Sequence, residues 1–371
     1  METNSFINSS LNFAEKDFCI IDNSIKSLTE IEKMGFQGFF DEFHKRPLKK
    51  IYKYYPNKKV WDKEQKKYRN YSIEALENDT IYMQDATNFD DCFDCAFDLD
   101  YNKFLETRVL KYCEYFNIEK NDTDNIQDLV YKLSIKFYQE ETIENILSSC
   151  QETTDSAQKL TIEIFVRKVK IDVDQNKSEW GPAIFKVINL EYKKLCNTFK
   201  SFRISCFSTS PLLNRMWSSS YGNDNKGFCI EYDLEINDKY LKDLYEQIYP
   251  VIYSQSRNDL LPLCTNCDKM PSVGDLWQMY FNGMLRKSLY WFDQQEWRLI
   301  LHKNSFTENP IKFFKISKVF LGNKMNKYQR KKIIKICERE VINYVGLVRD
   351  LNSFNLIECK KNCKECNNTH K

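Results

Sequence analysis

The run WFDQQEWRLILH, residues 291–302, holds the densest set of groups able to do chemistry. Strand alternation would place Gln294, Glu296, Arg298 and His302 on one face, and Trp297, Leu299 and Leu301 on the other. A carboxylate flanked by an amide and a guanidinium can bind a ribose diol and stabilise positive charge developing on a sugar. The plainer alternative is a solvent-facing strand with a local Glu296–Arg298 pair, which contributes little to stability. A second stretch, CFSTSPLLNRMWSSSYGNDNKGFCIEYD, spans residues 206–233. Here a strand ends in a hydroxyl cluster, the chain presents Met216, Trp217, Tyr221 and Gly222, and a new strand starts at Gly227. Aromatics beside hydroxyls can stack on a flat ring and bond its polar edge. Equally, they can be core side chains that pin a loop.

Other chemistries lose support. The chain has three histidines, His44, His302 and His370, and a Ser or Cys nucleophile usually needs a histidine base set by a third group. There is no GxGxxG after a strand, no P-loop and no HExxH. The acidic turn Asn88 to Asp94 (NFDDCFD) is read as capping rather than as a hard-cation site. Cys264 and Cys267, and again Cys363 and Cys366, share the C-x2-C spacing by which two thiolates grip zinc. Ninety-five residues separate the pairs, and Cys359 with His370 offers a competing set. A terminus with free thiols is the alternative.

The elements that must position these groups follow from periodicity. The 371 residues are 42% hydrophobic and 15% aromatic with few Gly and Pro, enough apolar material for one large domain or two modest ones. Apolar positions at helical spacing from 8 to 45 (Phe18, Ile21, Ile25, Leu28, Ile31, Met34) predict an N-terminal helical extension over 1–47. KKIYKYYP and TIYMQDA predict strands, with the polar run to Asn70 a loop. Phe104, Leu105, Val109 and Tyr112, then Leu129, Leu133 and Phe137, mark buried helix faces in a helical insertion at 102–200. Strands return at FRISCFS, GFCIEYDL and YPVIYS. A helix from Val273 to about Leu289, the strand QEWRLIL, a strand at Ile316 to Leu321, the basic helix YQRKKIIKICERE and a hairpin from Ile342 to Ile357 complete a domain over 48–357. A Cys-rich tail occupies 358–371. Net charge is +2, so no global field draws the chain onto polyanions. The start lacks the basic and apolar regions of a secretory signal, and no apolar run reaches membrane length. A cytoplasmic chain with reduced cysteines is expected.

KYY, NFDDCFD, CFSTS with MW and Y, GFCIEYD, YPVIYS, WFDQQEWRLIL and VFLGNK occur in an order that resembles the bacterial domain-of-unknown-function family numbered 2971, from about Lys49 to Ile357. The helical segment is longer than that family's, and both termini are additions. More distantly the chain resembles ADP-ribosyltransferases. Their three motifs are a cationic or aromatic residue on an early strand, a Ser-Thr-Ser strand and a Gln-x-Glu or Glu-x-Glu strand. Matching them in order are Lys53 and Tyr54, Ser208-Thr209-Ser210, and Gln294-x-Glu296. Together with the helical insertion read above, that resemblance implies an α+β fold with a mostly antiparallel split sheet. It implies NAD as co-substrate and transfer of ADP-ribose to a protein or nucleic-acid acceptor, in a toxin or phage-defence role. Glu296 would be the catalytic carboxylate, Gln294 would orient the acceptor and Ser208 would brace the site. Tyr54 or Tyr221 would stack on nicotinamide, with Ser210, Trp217 and Arg298 completing the NAD set. Lys53 would meet the phosphates in place of the usual Arg or His, a point charge without their planar geometry. Two rivals are a non-catalytic module that binds a nucleotide or a partner, through the same residues or the basic helix, and a zinc-stapled partner protein.

Overall fold

Aromatic and β-branched residues alternate in FCIEYD (Phe228, Ile230, Tyr232) and, with leucine, an aromatic alternates in EWRLILH (Trp297, Leu299, Leu301); with FRISCFS these segments form largely buried strands. The computed structural model describes residues 18–21, 24–27, 48–89, 91, 94–95, 99–150, 156–255 and 283–359. The chain divides into two units: the first is 1–95, 202–256 and 285–371, the second 96–201 and 257–284.

The first unit is built on a mostly antiparallel sheet. Its strands in chain order are β1 (Lys50–Tyr55), β2 (Gln84–Asp85), β3 (Phe202–Ser208), β4 (Phe228–Asp233), β5 (Ile248–Pro250), β6 (Glu296–His302), β7 (Lys315–Leu321), β8 (Asn343–Arg349) and β9 (Leu356–Glu358). They lie in the order β5-β6-β3-β1-β4-β7-β8-β9, with β2 also on β3. The β7–β8 pair alone among these is parallel. β1 pairs with β4 along its whole length but meets β3 at one position, Tyr52 opposite Ser208. Beyond it the same edge of β3 takes β2, with Gln84 opposite Ile204 and Asp85 opposite Arg203. The sheet is therefore split between β1 and β3.

Trp217, fully buried, packs under this split against Tyr54, with Cys229, Phe320 and Leu347 in the same cluster. The helix Lys327–Arg339, capped by Asn326, buries Ile333, Ile336 and Cys337. A smaller sheet joins Phe18–Ile21, Ser24–Ser27, Ile252–Ser254 and Arg286–Ser288.

The second unit contains the helices Tyr101–Tyr115, Ile126–Glu140, Ile143–Ser148, Ser156–Asn176 and Trp180–Phe199. Asp100, Asn125 and Thr142 cap the first three, Asn125 in a capping box with Asp128. Phe104, Val109, Tyr112, Leu129, Leu133 and Phe137 share its core with Phe165 and Ile184, as their spacing predicts.

An α+β fold with a helical insertion at 102–200 is thus observed. Four readings change. Phe18–Ile21 and Ser24–Ser27 are paired strands, not helix, because cross-strand pairing rather than local period decides so short a run; the rest of the predicted extension, with Leu28, Ile31 and Met34, lies outside the described residues. YPVIYS divides at Val251 between two sheets. Arg286–Ser288 is a strand and Leu289–Gln294 a 3-10 helix, where the end of the helix from Val273 to about Leu289 is predicted; residues 273–282 of that prediction lie outside the described residues. Within the polar run to Asn70, Val60–Asp62 and Lys67–Arg69 form a hairpin. Among the described residues no helix is long and apolar enough to cross a membrane.

Candidate functional site

The split between β1 and β3 opens into a cavity of about 210 Å³. β1 contributes Tyr52, Lys53 and Tyr54; β3 contributes Ser205, Cys206 and Phe207. Tyr82, Gln84 and Phe89 come from the segment around β2, Met216 and Tyr221 from the loop after β3, and Gln294 and Glu296 from the entry to β6. All of these residues belong to the first unit.

Lys53 holds the wall where β1 and β3 part. Its ammonium donates to Ser205 Oγ and to the Cys206 carbonyl, each at 2.9 Å, and lies 5.1 Å from the centre of the Phe207 ring. No ion pair with a carboxylate joins it among the described residues. Burial lowers its pKa from the usual lysine value, because a low dielectric disfavours an uncompensated cation.

Glu296 starts β6 directly opposite Ser208, and its carboxylate is fully engaged. Oε1 accepts from Arg298 Nε at 2.7 Å and Oε2 from Lys287 Nζ at 2.5 Å. Asp94 closes the circuit, 2.5 Å from Arg298 Nη2 and 3.1 Å from Lys287 Nζ. All four side chains are at most 4% exposed. Burial alone would raise the Glu296 pKa, but Arg298 and Lys287 outweigh it and bring it down to about 2. The lysine and arginine are raised by their acidic partners against the same burial. The quartet is neutral as a whole, and among the described residues Lys53 is the one basic side chain lining the cavity.

Of the residues predicted from sequence, Lys53, Tyr54, Tyr221, Gln294 and Glu296 line the cavity together. Gln294 Oε1 accepts from Lys287 at 2.9 Å. The Tyr221 hydroxyl has no hydrogen bond among the described residues, and burial raises its pKa. Four others lie behind the wall. Ser208 is fully buried and donates to the Gln294 carbonyl at 2.9 Å, fastening the entry of β6 to the end of β3. The Ser210 carbonyl accepts from Tyr54 Oη, while its hydroxyl accepts from Leu212 N. Trp217 donates from its indole to the Pro211 carbonyl and packs edge-on to Tyr54. Arg298 is wholly buried behind Glu296. The alternation read for residues 294–302 holds for Glu296 and Arg298, which do pair, but the pair is buried rather than solvent-facing. Gln294 precedes the strand, in the 3-10 helix.

The acidic turn caps no helix through its described aspartates. Asp94 serves the quartet, and Asp91 accepts from Trp291 Nε1 at 2.8 Å. Lys287 was not singled out in the sequence, and Asp94 only as part of the acidic turn: Asp94 lies 204 residues from Arg298, Lys287 meets Glu296 across a 3-10 turn, and no local pattern marks either pairing. Cys264, Cys267, Cys363 and Cys366 lie outside the described residues. Among the described ones, no cluster of three or more His, Cys, Asp or Glu could hold a metal ion.

Chemically, the site offers a slot walled by rings, a fixed carboxylate that stays ionised, an amide beside it, and a lysine in the wall able to meet an anionic or strongly polar group. In comparisons with known proteins, the chain matches no family model, no curated protein and no solved structure.

Proposed function

We propose that the first unit binds NAD in the β1–β3 cavity and transfers its ADP-ribosyl group to a macromolecular acceptor, as a divergent relative of the family numbered 2971 and of the ADP-ribosyltransferases, acting in the cytoplasm in a toxin or phage-defence role. One observation carries this reading: Lys53, Tyr54, Tyr221, Gln294 and Glu296, drawn from segments far apart in the chain, line one cavity. At about 210 Å³ it suits a nicotinamide and its ribose, with the rest of the dinucleotide outside. Tyr221 and its aromatic neighbours would flank the ring, and Lys53 would attract the nearer phosphate as a point charge.

Glu296 would act by charge rather than by proton transfer, since a carboxylate whose pKa lies near 2 neither takes nor gives a proton near neutrality. An anion held beside the ribose favours the oxocarbenium-like transition state more than the ground state, which lowers the barrier to breaking the C–N bond to nicotinamide. Lys287 and Arg298 hold that carboxylate in one orientation, so little reorganisation is needed at the moment of reaction.

A second reading draws on the same quartet. Both Glu296 oxygens already have cationic partners, and this favours a module that binds a nucleotide without turnover. Titration of NAD into wild type and Glu296→Gln, with free nicotinamide followed in parallel, separates the two. Turnover predicts binding to both and nicotinamide from wild type alone. Binding without nicotinamide from either supports the module, and no binding to wild type removes both readings. Zinc held by the two C-x2-C pairs is a separate proposal, tested by the metal content of the purified protein.

A further inference from the structure

Two basic segments of the first unit come together. Residues 57–69 hold five lysines and one arginine against one aspartate and one glutamate, and residues 324–340 hold five lysines and two arginines against two glutamates. Together they carry +9 in a chain whose total is +2, so the remaining residues sum to −7. A general enrichment in lysine would spread without regard to acids; here the excess is concentrated. The first segment is the hairpin Val60–Asp62 and Lys67–Arg69, the second the helix Lys327–Arg339. They touch at their bases, where Gln329 Nε2 donates to the Asn57 carbonyl at 3.4 Å. Lys58, Lys59, Lys63, Lys66 and Lys67 of the hairpin, and Lys327, Lys331, Lys332 and Lys335 of the helix, are exposed and form no ion pair among the described residues. Arg69 alone in the hairpin is neutralised, by Asp62 and Glu74.

Aromatic rings stand among these cations. Trp61 and Tyr68 face each other across the hairpin, ring centres 5.2 Å apart and edge to face, yet remain 49% and 69% exposed; Tyr328 on the helix is 80% exposed. Exposed rings are costly to keep in water, and interleaved with unpaired lysines they match a ligand that has both phosphates and flat apolar faces. Single-stranded nucleic acid presents both, whereas a duplex hides its base faces.

We infer that this surface binds single-stranded nucleic acid, the lysines meeting the backbone and Trp61, Tyr68 and Tyr328 stacking on bases. The inference does not rest on the NAD reading and survives its failure. The test is fluorescence anisotropy of a labelled single-stranded oligonucleotide titrated with the full chain over a range of salt concentrations. Trp61→Ala with Tyr68→Ala weakens binding at least about tenfold, in line with the loss of base stacking, with the salt dependence unchanged. Reversing Lys58, Lys59 and Lys63 to Glu lowers the slope of log affinity against log salt by about 2, at roughly 0.7 per phosphate contact. The substituted side chains are exposed, and an unchanged thermal melt checks that the fold persists. Absence of binding at low salt, full affinity in the aromatic double variant, or displacement of the oligonucleotide by phosphatidylserine vesicles overturns the inference.

Discussion

Lys53 and Glu296 face the same cavity in opposite electrostatic conditions. The glutamate has two cationic partners and a depressed pKa; the lysine has hydroxyl and carbonyl partners and a pKa that burial lowers. A base whose folded-state pKa lies below its unfolded value penalises the fold while protonated, and the penalty fades as pH climbs toward the unfolded value of about 10.4. Lys53→Met is therefore expected to be more stable than wild type at neutral pH, with the gap closing toward pH 10, as urea melts at stepped pH would read. Loss of stability in Lys53→Met at neutral pH would instead give the ammonium a net structural role. The quartet makes the opposite demand. Arg298→Met leaves Asp94 and Glu296 to share one buried cation, and an uncompensated buried charge costs about 3–5 kcal/mol, visible in the same melts. The pairing of Glu296 with Arg298 was legible from two-residue spacing on a strand. The parts of Asp94 and Lys287 were not, because Asp94 lies 204 residues from Arg298 and Lys287 meets Glu296 across a 3-10 turn, and neither spacing leaves a periodic trace.

Strands and turns decide whether those side chains converge. The loop from β3 to β4 is drawn tight by glycines: a Cβ on Gly222 would lie 2.5 Å from the Trp217 Cα, and one on Gly227 would lie 2.3 Å from the Tyr55 carbonyl oxygen. Gly227 N also donates to the Gly222 carbonyl, and its own carbonyl accepts from Gly322 N, so backbone and not a flexible side chain would have to yield. Gly227→Ala should destabilise by about 1–3 kcal/mol and weaken ligand binding at the cavity by displacing Tyr54 and Tyr221, an outcome that paired denaturation and binding titrations would detect. Elements with a single strong period were readable in advance: β3, β4, β6 and β7, the capped helices of the insertion, and the basic helix after Asn326. Elements set by tertiary contacts were not. YPVIYS has the composition of one strand but changes sheets at Val251, and Arg286–Ser288 pairs in parallel with Ile252–Ser254, a partnership that local propensity cannot announce. The split of the sheet also belongs to this scale, since it arises where β1 keeps β4 along its length and releases β3 after one pair.

Across the whole molecule, periodicity predicted a mixed fold interrupted by a helical insertion, and net charge hid one feature of its distribution. Near-neutral net charge concealed a basic surface balanced by an acidic remainder, while the insertion read at 102–200 does separate strands that become neighbours, β1 and β2 lying before it and β3 after. Every residue lining the cavity belongs to the first unit, so the chemistry proposed for it is a property of that unit's residues. The most direct test is the rate of nicotinamide release from NAD by wild type and by Glu296→Gln, compared at a temperature where melts show both folded. The account predicts release by wild type and a loss of at least about 100-fold in the variant, the scale on which a preorganised electrostatic group contributes. Equal rates, or no release by wild type, would contradict it.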